Sequence, residues 1–380
     1  MKHTDLTLSP SPIRAQPYKR TTVLGAGAWG TALAATLARA GGDVRLWSRD
    51  AEQAAQINAT HCNDRYLKGI PLPETLRAVT DMAEALDGAE AVLIVVPSQV
   101  VRAVSREAAK HAPAGIPFAV CAKGIEAESG LLMAQVARDE LGDRPIGVVS
   151  GPTFAHETAL NHPTAATCAF PFTYAERLDP ASSSAARLAV SLTTEAFRTY
   201  VTDDLVGVEV GGAVKNVIAI ACGMMTGAGF GENTRAALIT RGIAEMKTLA
   251  EALGGRAETL SGLSGVGDLS LTCSSESSRN MSLGLQLGRG LAREDCFDGR
   301  PVVVEGERNA LSVTDLARRL GVALPICETV RAVLHDRANL GQSFAALWAR
   351  PLEAEPRVMD LAFDHPASDT AVTQLAERIS

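Results

Sequence analysis

The run Gly25-Ala26-Gly27-Ala28-Trp29-Gly30 constrains this chain more than any other stretch of it. It follows a short apolar strand, Thr22-Val23-Leu24, and opens an alanine-rich helix, Thr31 to Arg39, that stops at Gly41-Gly42. A second strand, Val44-Arg45-Leu46-Trp47, comes directly after. In this pattern each glycine has its own task. Gly25 makes the tight turn, Gly27 lets a pyrophosphate approach the backbone, and Gly30 lets the helix pack against the strand. The free N–H groups at the helix start then face the phosphates. Alone the GxGxxG spacing is weak, since a chain with 33 glycines produces it by chance. Set between a strand and a helix, it predicts a dinucleotide site.

Further apolar runs recur at Ala91 to Val96, Phe118 to Cys121 and Ile146 to Val149, with helical patterns between them at Ser98 to Lys110 and Gly130 to Leu141. Strands alternating with helices predict an α/β, Rossmann-like domain built on a parallel, doubly wound sheet. After Asp203 the texture changes. Leu205 to Leu253 is helix-compatible except for a glycine-rich turn at Gly227 to Gly231, and helical segments follow at Arg279 to Gly288, Asn309 to Leu320 and Glu328 to His335. The expected organisation is a flexible arm over 1–20, a cofactor-binding domain over 21–204, an all-α substrate and catalytic domain over 205–350, and a loosely attached tail over 351–380.

Charge and cysteine usage narrow the partners. Lys plus Arg number 36 and Asp plus Glu 43, a balance of −7 that argues against nucleic acid or an anionic membrane as the main partner. It says nothing against a small anionic ligand. The seven cysteines are scattered without a CxxC pair, so neither a disulfide framework nor a metal site is expected, and a reducing cytoplasm is. The apolar stretch from Leu205 to Phe230 holds Glu209, Lys215 and Asn216, which reads as a buried helix rather than an integral membrane segment.

Three places offer chemistry. After the second strand stands Ser48-Arg49, with Asp50 one step on. An arginine there accommodates the 2′-phosphate of NADP, so NADP(H) is preferred with NAD(H) tolerated, the alternative being a merely solvated Arg49. Lys215 has Gly211, Gly212, Ile218 and Ala219 as its helical neighbours, an apolar setting that lowers an ammonium pKa toward proton transfer unless the side chain snorkels out or pairs structurally. Asp268 is a candidate partner for that lysine, and Arg279 a candidate grip on a phosphate or carboxylate. Ser278 beside it also reads as a plain helix N-cap.

These residues carry a resemblance. The chain resembles the bacterial NAD(P)H-dependent glycerol-3-phosphate dehydrogenases through VLGAGAWGTALA at Val23, VVPSQ at Val95, AKGIEAESG at Ala122 and SGPTFAHE at Ser150. The match continues with GGAVKNVIAI at Gly211, TRAALITRGIAEM at Thr234, GVGDLSLTC at Gly265, SRN at Ser278 and VVEG at Val303. The resemblance implies reduction of dihydroxyacetone phosphate to sn-glycerol 3-phosphate for phospholipid synthesis, a helical domain of the 6-phosphogluconate dehydrogenase kind, and a homodimer. Lys215 would be the general acid and base. Lys123, Gly151, Thr153, Asn216, Asp268, Thr272, Ser278, Arg279 and Asn280 would form the substrate site. Gly25, Gly27, Ala28, Trp29, Gly30, Arg49, Lys123, Ala155, Arg279, Val303 and Glu305 would hold the dinucleotide, with Val303 and Glu305 closing over it. Ala28-Trp29 departs from the hydroxyl-bearing pair common there.

Competing expectations are a 6-phosphogluconate or 3-hydroxyacid type dehydrogenase, a thiol mechanism through Cys273, and a non-catalytic dinucleotide sensor. The four cations Arg49, Lys123, Lys215 and Arg279 are expected to gather in one cleft.

Overall fold

Eight strands make the main sheet of the computed structural model, which describes residues 14–353, 362–363 and 369–379. They are β1 (Arg20–Leu24), β2 (Asp43–Trp47), β3 (Arg77–Val79), β4 (Ala91–Ile94), β5 (Phe118–Val120), β6 (Ile146–Ser150), β7 (Thr164–Ala169) and β8 (Phe197–Thr202). Their order across the sheet is β8-β7-β6-β5-β4-β1-β2-β3. Strands β4, β5 and β6 are buried at every position, as a central strand covered by helices on both faces must be. The order reverses between β1 and β4, which opens a crevice at the carboxyl ends of the strands. Helices α1 (Ala28–Arg39), α2 (Ala51–Thr60) and α3 (Met133–Leu141) belong to this domain.

The sheet departs from the all-parallel expectation at one joint. β7 runs antiparallel to β6 and carries β8 parallel to itself, so the last two strands oppose the rest. Neither was expected from the sequence, nor was β3. Thr164–Ala169 is a run of threonines, alanines and one cysteine that becomes a strand because it is inserted between two others, not because its own residues alternate.

The second domain is organised around one helix, α4 (Leu205–Gly227), capped by Asp204, whose side chain accepts the Gly207 N–H at 2.9 Å. Every residue from Gly207 to Met225 is buried. This is the single helix among the described residues that is long and apolar enough to cross a membrane, and 89% of its 18-residue apolar stretch is covered by the protein itself. Around it pack α5 (Glu232–Ala252), α6 (Asp268–Ser274), α7 (Arg279–Gly288), α8 (Glu305–Leu320) and α9 (Pro325–His335). The approach of α7 is close: a Cβ at Gly284 would lie 2.2 Å from the Ile220 carbonyl oxygen.

The described parts of the arm and of the tail are packed onto the protein, which was not expected. Residues 1–13 of the arm lie outside the described residues. Beyond them Tyr18 is buried, its N–H bonds Ser191 Oγ at 2.8 Å, and the Arg187 guanidinium lies 4.0 Å from its ring. At the other end, α10 (Leu340–Trp348) receives the described helix of the tail, α11 (Asp369–Ile379). Val372, Leu375 and Ile379 recur at helical spacing, Leu375 packs on the helical core and Ile379 is buried in it. The loosely attached tail is therefore in part a docked helix, while 354–361, 364–368 and 380 lie outside the described residues.

Candidate active site

The carboxyl ends of the central strands carry the predicted residues: Gly25 follows β1, Arg49 follows β2, Lys123 follows β5 and Gly151 follows β6. In the glycine loop the backbone leaves no choice. Gly25 has φ +119°, and a Cβ there would lie 2.3 Å from the Val95 carbonyl oxygen. A Cβ at Gly30 would come within 1.8 Å of the Gly25 carbonyl oxygen, so helix and turn close on each other only through hydrogen atoms. Gly27 is different, since nothing lies within 4 Å of where its Cβ would be. That space faces the start of α1, whose N-cap Gly27 brings no side-chain bond, so its first N–H groups are free to bind an anion. A pyrophosphate fits these features. Ala28, Trp29 and Ala155 pack together around Ala32 and Ala159, which brings the start of the Ala155 helix beside that of α1.

Past β2, Asp50 is already committed: it caps α2 by accepting the Gln53 N–H at 3.1 Å and pairs with Arg65 at 2.7 Å. Arg49 is exposed and has no side-chain partner among the described residues. The acidic group that would hold a ribose hydroxyl is thus engaged elsewhere, and a guanidinium stands free in its place.

The polar centre joins residues from three elements. Lys215, in the middle of α4, donates to Asp268 Oδ1 at 2.7 Å and to Thr272 Oγ1 at 2.8 Å. The Thr272 hydroxyl can accept because its own hydrogen goes to the Asp268 carbonyl oxygen at 2.6 Å. Lys123, reaching in from the loop after β5, donates to Asp268 Oδ2 at 2.5 Å. One buried carboxylate therefore receives two ammonium groups. Burial lowers the Lys215 pKa, Asp268 works against that fall, and the positive charge of Lys123 adds to it. Burial alone would raise Asp268, but Lys123 and Lys215 more than reverse this and hold it below the usual carboxylate range. Asp268 itself opens α6 directly after one π-helical turn, Leu263–Gly267.

A second network lies alongside. Asn280 Nδ2 donates to Asn216 Oδ1 at 2.9 Å, Asn216 Nδ2 donates to Glu305 Oε2 at 3.2 Å, and the Gly306 N–H donates to Asn280 Oδ1 at 2.8 Å. This ties α4, α7 and the start of α8 together. Ser278 is the N-cap of α7, its Oγ accepting the Met281 N–H at 3.3 Å, so the plain capping role holds for it. Arg279 begins that helix with an exposed guanidinium that has no side-chain partner among the described residues. Thr153 Oγ1 turns back to the Gly151 carbonyl oxygen at 3.3 Å.

Of the four cations expected in one cleft, Lys123 and Lys215 meet through Asp268, and Arg49 and Arg279 are exposed on other elements. Val303 is 54% exposed, and Glu305 turns to Asn216. Cys273 is fully buried and its thiol is pushed well up, by burial first and by Cys222 second, which leaves no thiolate for nucleophilic chemistry. Two residues escaped the sequence reading. Asn309 donates to the Ala213 carbonyl oxygen at 3.1 Å, and its spacing of four from Glu305 was the available signal. Glu209 accepts the Ala134 N–H at 2.8 Å, a partner without a side-chain signature.

Family models described as the NAD-dependent glycerol-3-phosphate dehydrogenase N-terminus and C-terminus match residues 20–174 and 204–345. The chain is 48% identical over 333 residues to a glycerol-3-phosphate dehydrogenase (NAD(P)+) of Rhodospirillum rubrum, covering 88% of this chain and 93% of that one. A protein of the same description from Caulobacter vibrioides is 47% identical over 338 residues, 89% of this chain and 99% of its own. Among solved structures, the glycerol-3-phosphate dehydrogenase of Coxiella burnetii superposes with a TM-score of 0.79 at 39% identity, over 87% of this chain and 99% of that one.

Proposed function

The chain belongs to the NAD-dependent glycerol-3-phosphate dehydrogenase family, and from that premise we propose how its own residues carry the reaction. It is an NAD(P)-dependent oxidoreductase that reduces dihydroxyacetone phosphate to sn-glycerol 3-phosphate, reversibly.

The observation that carries the mechanism is the hydrogen-bond count at Lys215. An ammonium has three N–H donors. One goes to Asp268 and one to Thr272, which leaves one for a substrate oxygen. The nicotinamide, when bound, supplies a hydride to the carbonyl carbon. As negative charge develops on the carbonyl oxygen, the third Lys215 N–H stabilises it and delivers the proton. In the reverse direction the neutral amine takes that proton back. Burial lowers the lysine's pKa, which eases release of its proton, and Asp268 opposes that fall. Lys123 holds the second oxygen of Asp268 and so keeps that carboxylate charged and oriented. Arg279, with the start of α7, takes the substrate phosphate, which turns binding into orientation.

For the dinucleotide, the open space at Gly27 and the uncapped start of α1 receive the pyrophosphate, beside Ala28, Trp29 and Ala155. Arg49 receives a 2′-phosphate, so NADP(H) is preferred and NAD(H) accepted. The product is a precursor of glycerophospholipids, and we place the reaction in the cytoplasm, in a homodimer; seven unpaired thiols support a reducing compartment. The test is to follow NADPH absorbance as dihydroxyacetone phosphate is added. Decay that depends on the substrate is expected, and its absence over a wide concentration range would overturn the assignment.

A further inference from the structure

The mechanism leaves the buried carboxylate of Glu209 unused. Glu209 is 7% exposed and stands on α4, six residues before Lys215, in an otherwise apolar stretch. Its Oε1 accepts the Ala134 N–H at 2.8 Å, at the first turn of α3 in the cofactor domain. A helix start leaves its first N–H groups without intrahelical partners. The residue in the cap position of α3 is Leu132, whose side chain has no oxygen to offer, so the acceptor comes from the other domain.

Between β5 and α3 the chain makes an excursion onto the helical domain. It leaves the site at Lys123 and returns through Leu132 to Met133. Its two arms are joined by a β-bridge between Ile125 and Leu132, and both of these side chains are buried in the helical core. One face of α4 receives both ends. Gly212, one turn after Glu209, passes so near that a Cβ on it would lie 3.2 Å from Lys123 Cγ. Glu209 holds the far end at Ala134. The position of the Lys123 ammonium on Asp268 thus depends on how this excursion is seated.

We propose that Glu209 is a positioning residue: by anchoring the Ala134 end of the 123–134 excursion on α4, it sets where Lys123 meets Asp268. The proposal rests on the reading of Lys123, Asp268 and Lys215 as the reacting centre. Anchoring needs an acceptor oxygen, which glutamine retains and alanine lacks.

A double-mutant cycle tests it, with kcat and KM for dihydroxyacetone phosphate measured on purified full-length enzyme with NADPH. Glu209→Ala and Glu209→Gln are each made alone and together with Lys123→Met. Misplacing Lys123 by about an ångström lowers kcat/KM roughly 10–100-fold for Glu209→Ala, and Glu209→Gln recovers most of that. In the Lys123→Met background the same substitutions have almost no further effect, because the group they position is gone. An equal loss in both backgrounds overturns the proposal and leaves Glu209 a purely structural residue. If Glu209→Ala does not fold, Glu209→Met, close in volume but without an acceptor oxygen, takes its place in the same comparison. Hydrogen exchange of 123–134 provides a readout independent of turnover: it quickens in Glu209→Ala but not in Glu209→Gln while α4 stays protected, and unchanged exchange in Glu209→Ala also overturns the proposal. A wild type that binds NADPH but turns over nothing would strike the proposed function instead, and the exchange result would still decide this inference.

Discussion

Asp268 receives the Lys215 ammonium at 2.7 Å where both side chains are less than a tenth exposed, so neither charge is relieved by water. A pair of this kind is costly to break from one side: removing one partner typically costs about 3–5 kcal/mol, because the other charge is left buried. Its value here is electrostatic control of the lysine, with burial lowering the ammonium pKa and the carboxylate opposing that fall.

Asp268→Asn should therefore shift the pH dependence of reduction. In the proposed mechanism Lys215 acts in its protonated form, so the rate falls as pH rises through the lysine's pKa. Without the carboxylate, that pKa drops further, and Lys123 no longer has its charge balanced. The alkaline limb of kcat for dihydroxyacetone phosphate moves to lower pH in the variant. A limb that stays in place, measured with saturating NADPH, would detach Asp268 from the titration.

The role proposed for Arg49 bears on the cofactor alone. Because Asp50 is engaged by Gln53 and Arg65, Arg49 is the group left to meet the adenosine ribose. Arg49→Ala should weaken NADPH binding by roughly 10-fold or more, the loss expected for a charge-assisted contact, and leave NADH binding nearly unchanged. Fluorescence titration of both cofactors reads this directly. Equal losses would remove the 2′-phosphate assignment.

Glu245 gives the protein a pH-dependent stability away from the site. Its carboxylate accepts the Ile326 N–H at 2.6 Å and the Cys327 N–H at 3.3 Å, at the start of α9. Burial pushes it up to about 7. A carboxyl that holds its proton more tightly in the folded chain stabilises the fold fully at low pH. That contribution fades as pH rises from the unfolded value near 4.5 through about 7. The slope is at most about 1.4 kcal/mol per pH unit. Glu245→Gln cannot ionise, so its Tm relative to wild type should rise between pH 5 and pH 8. A constant Tm difference across that range would contradict the titration.

Much of this molecule was legible before any coordinates, and the failures have physical causes. The glycine loop was readable because each of its positions answers to a backbone requirement that only glycine meets. Lys215 stood out as a charge among small apolar neighbours. The Lys123–Asp268 pair joins positions 145 residues apart, and only the meeting of the loop after β5 with α6 creates it. β7 was missed because its strand character is conferred by its neighbours, whereas β8, Phe197–Thr202, carries strand-forming residues of its own and was readable. α11 was missed although its apolar spacing was present, since a short helix beyond a stretch without periodicity gives a weak signal. Arg49 and Arg279 show the reverse limit: their residue types suggested phosphate chemistry, while both side chains are exposed and have no side-chain partner among the described residues that would fix their direction.

The central claim is that the ammonium of Lys215 delivers the proton. The direct measurement is turnover of dihydroxyacetone phosphate by Lys215→Ala, with Tm and NADPH affinity measured on the same sample. The account predicts a fall in kcat of roughly 10²–10⁴-fold in a variant that still folds and binds NADPH. Reduction at a near-normal rate in such a variant would contradict it.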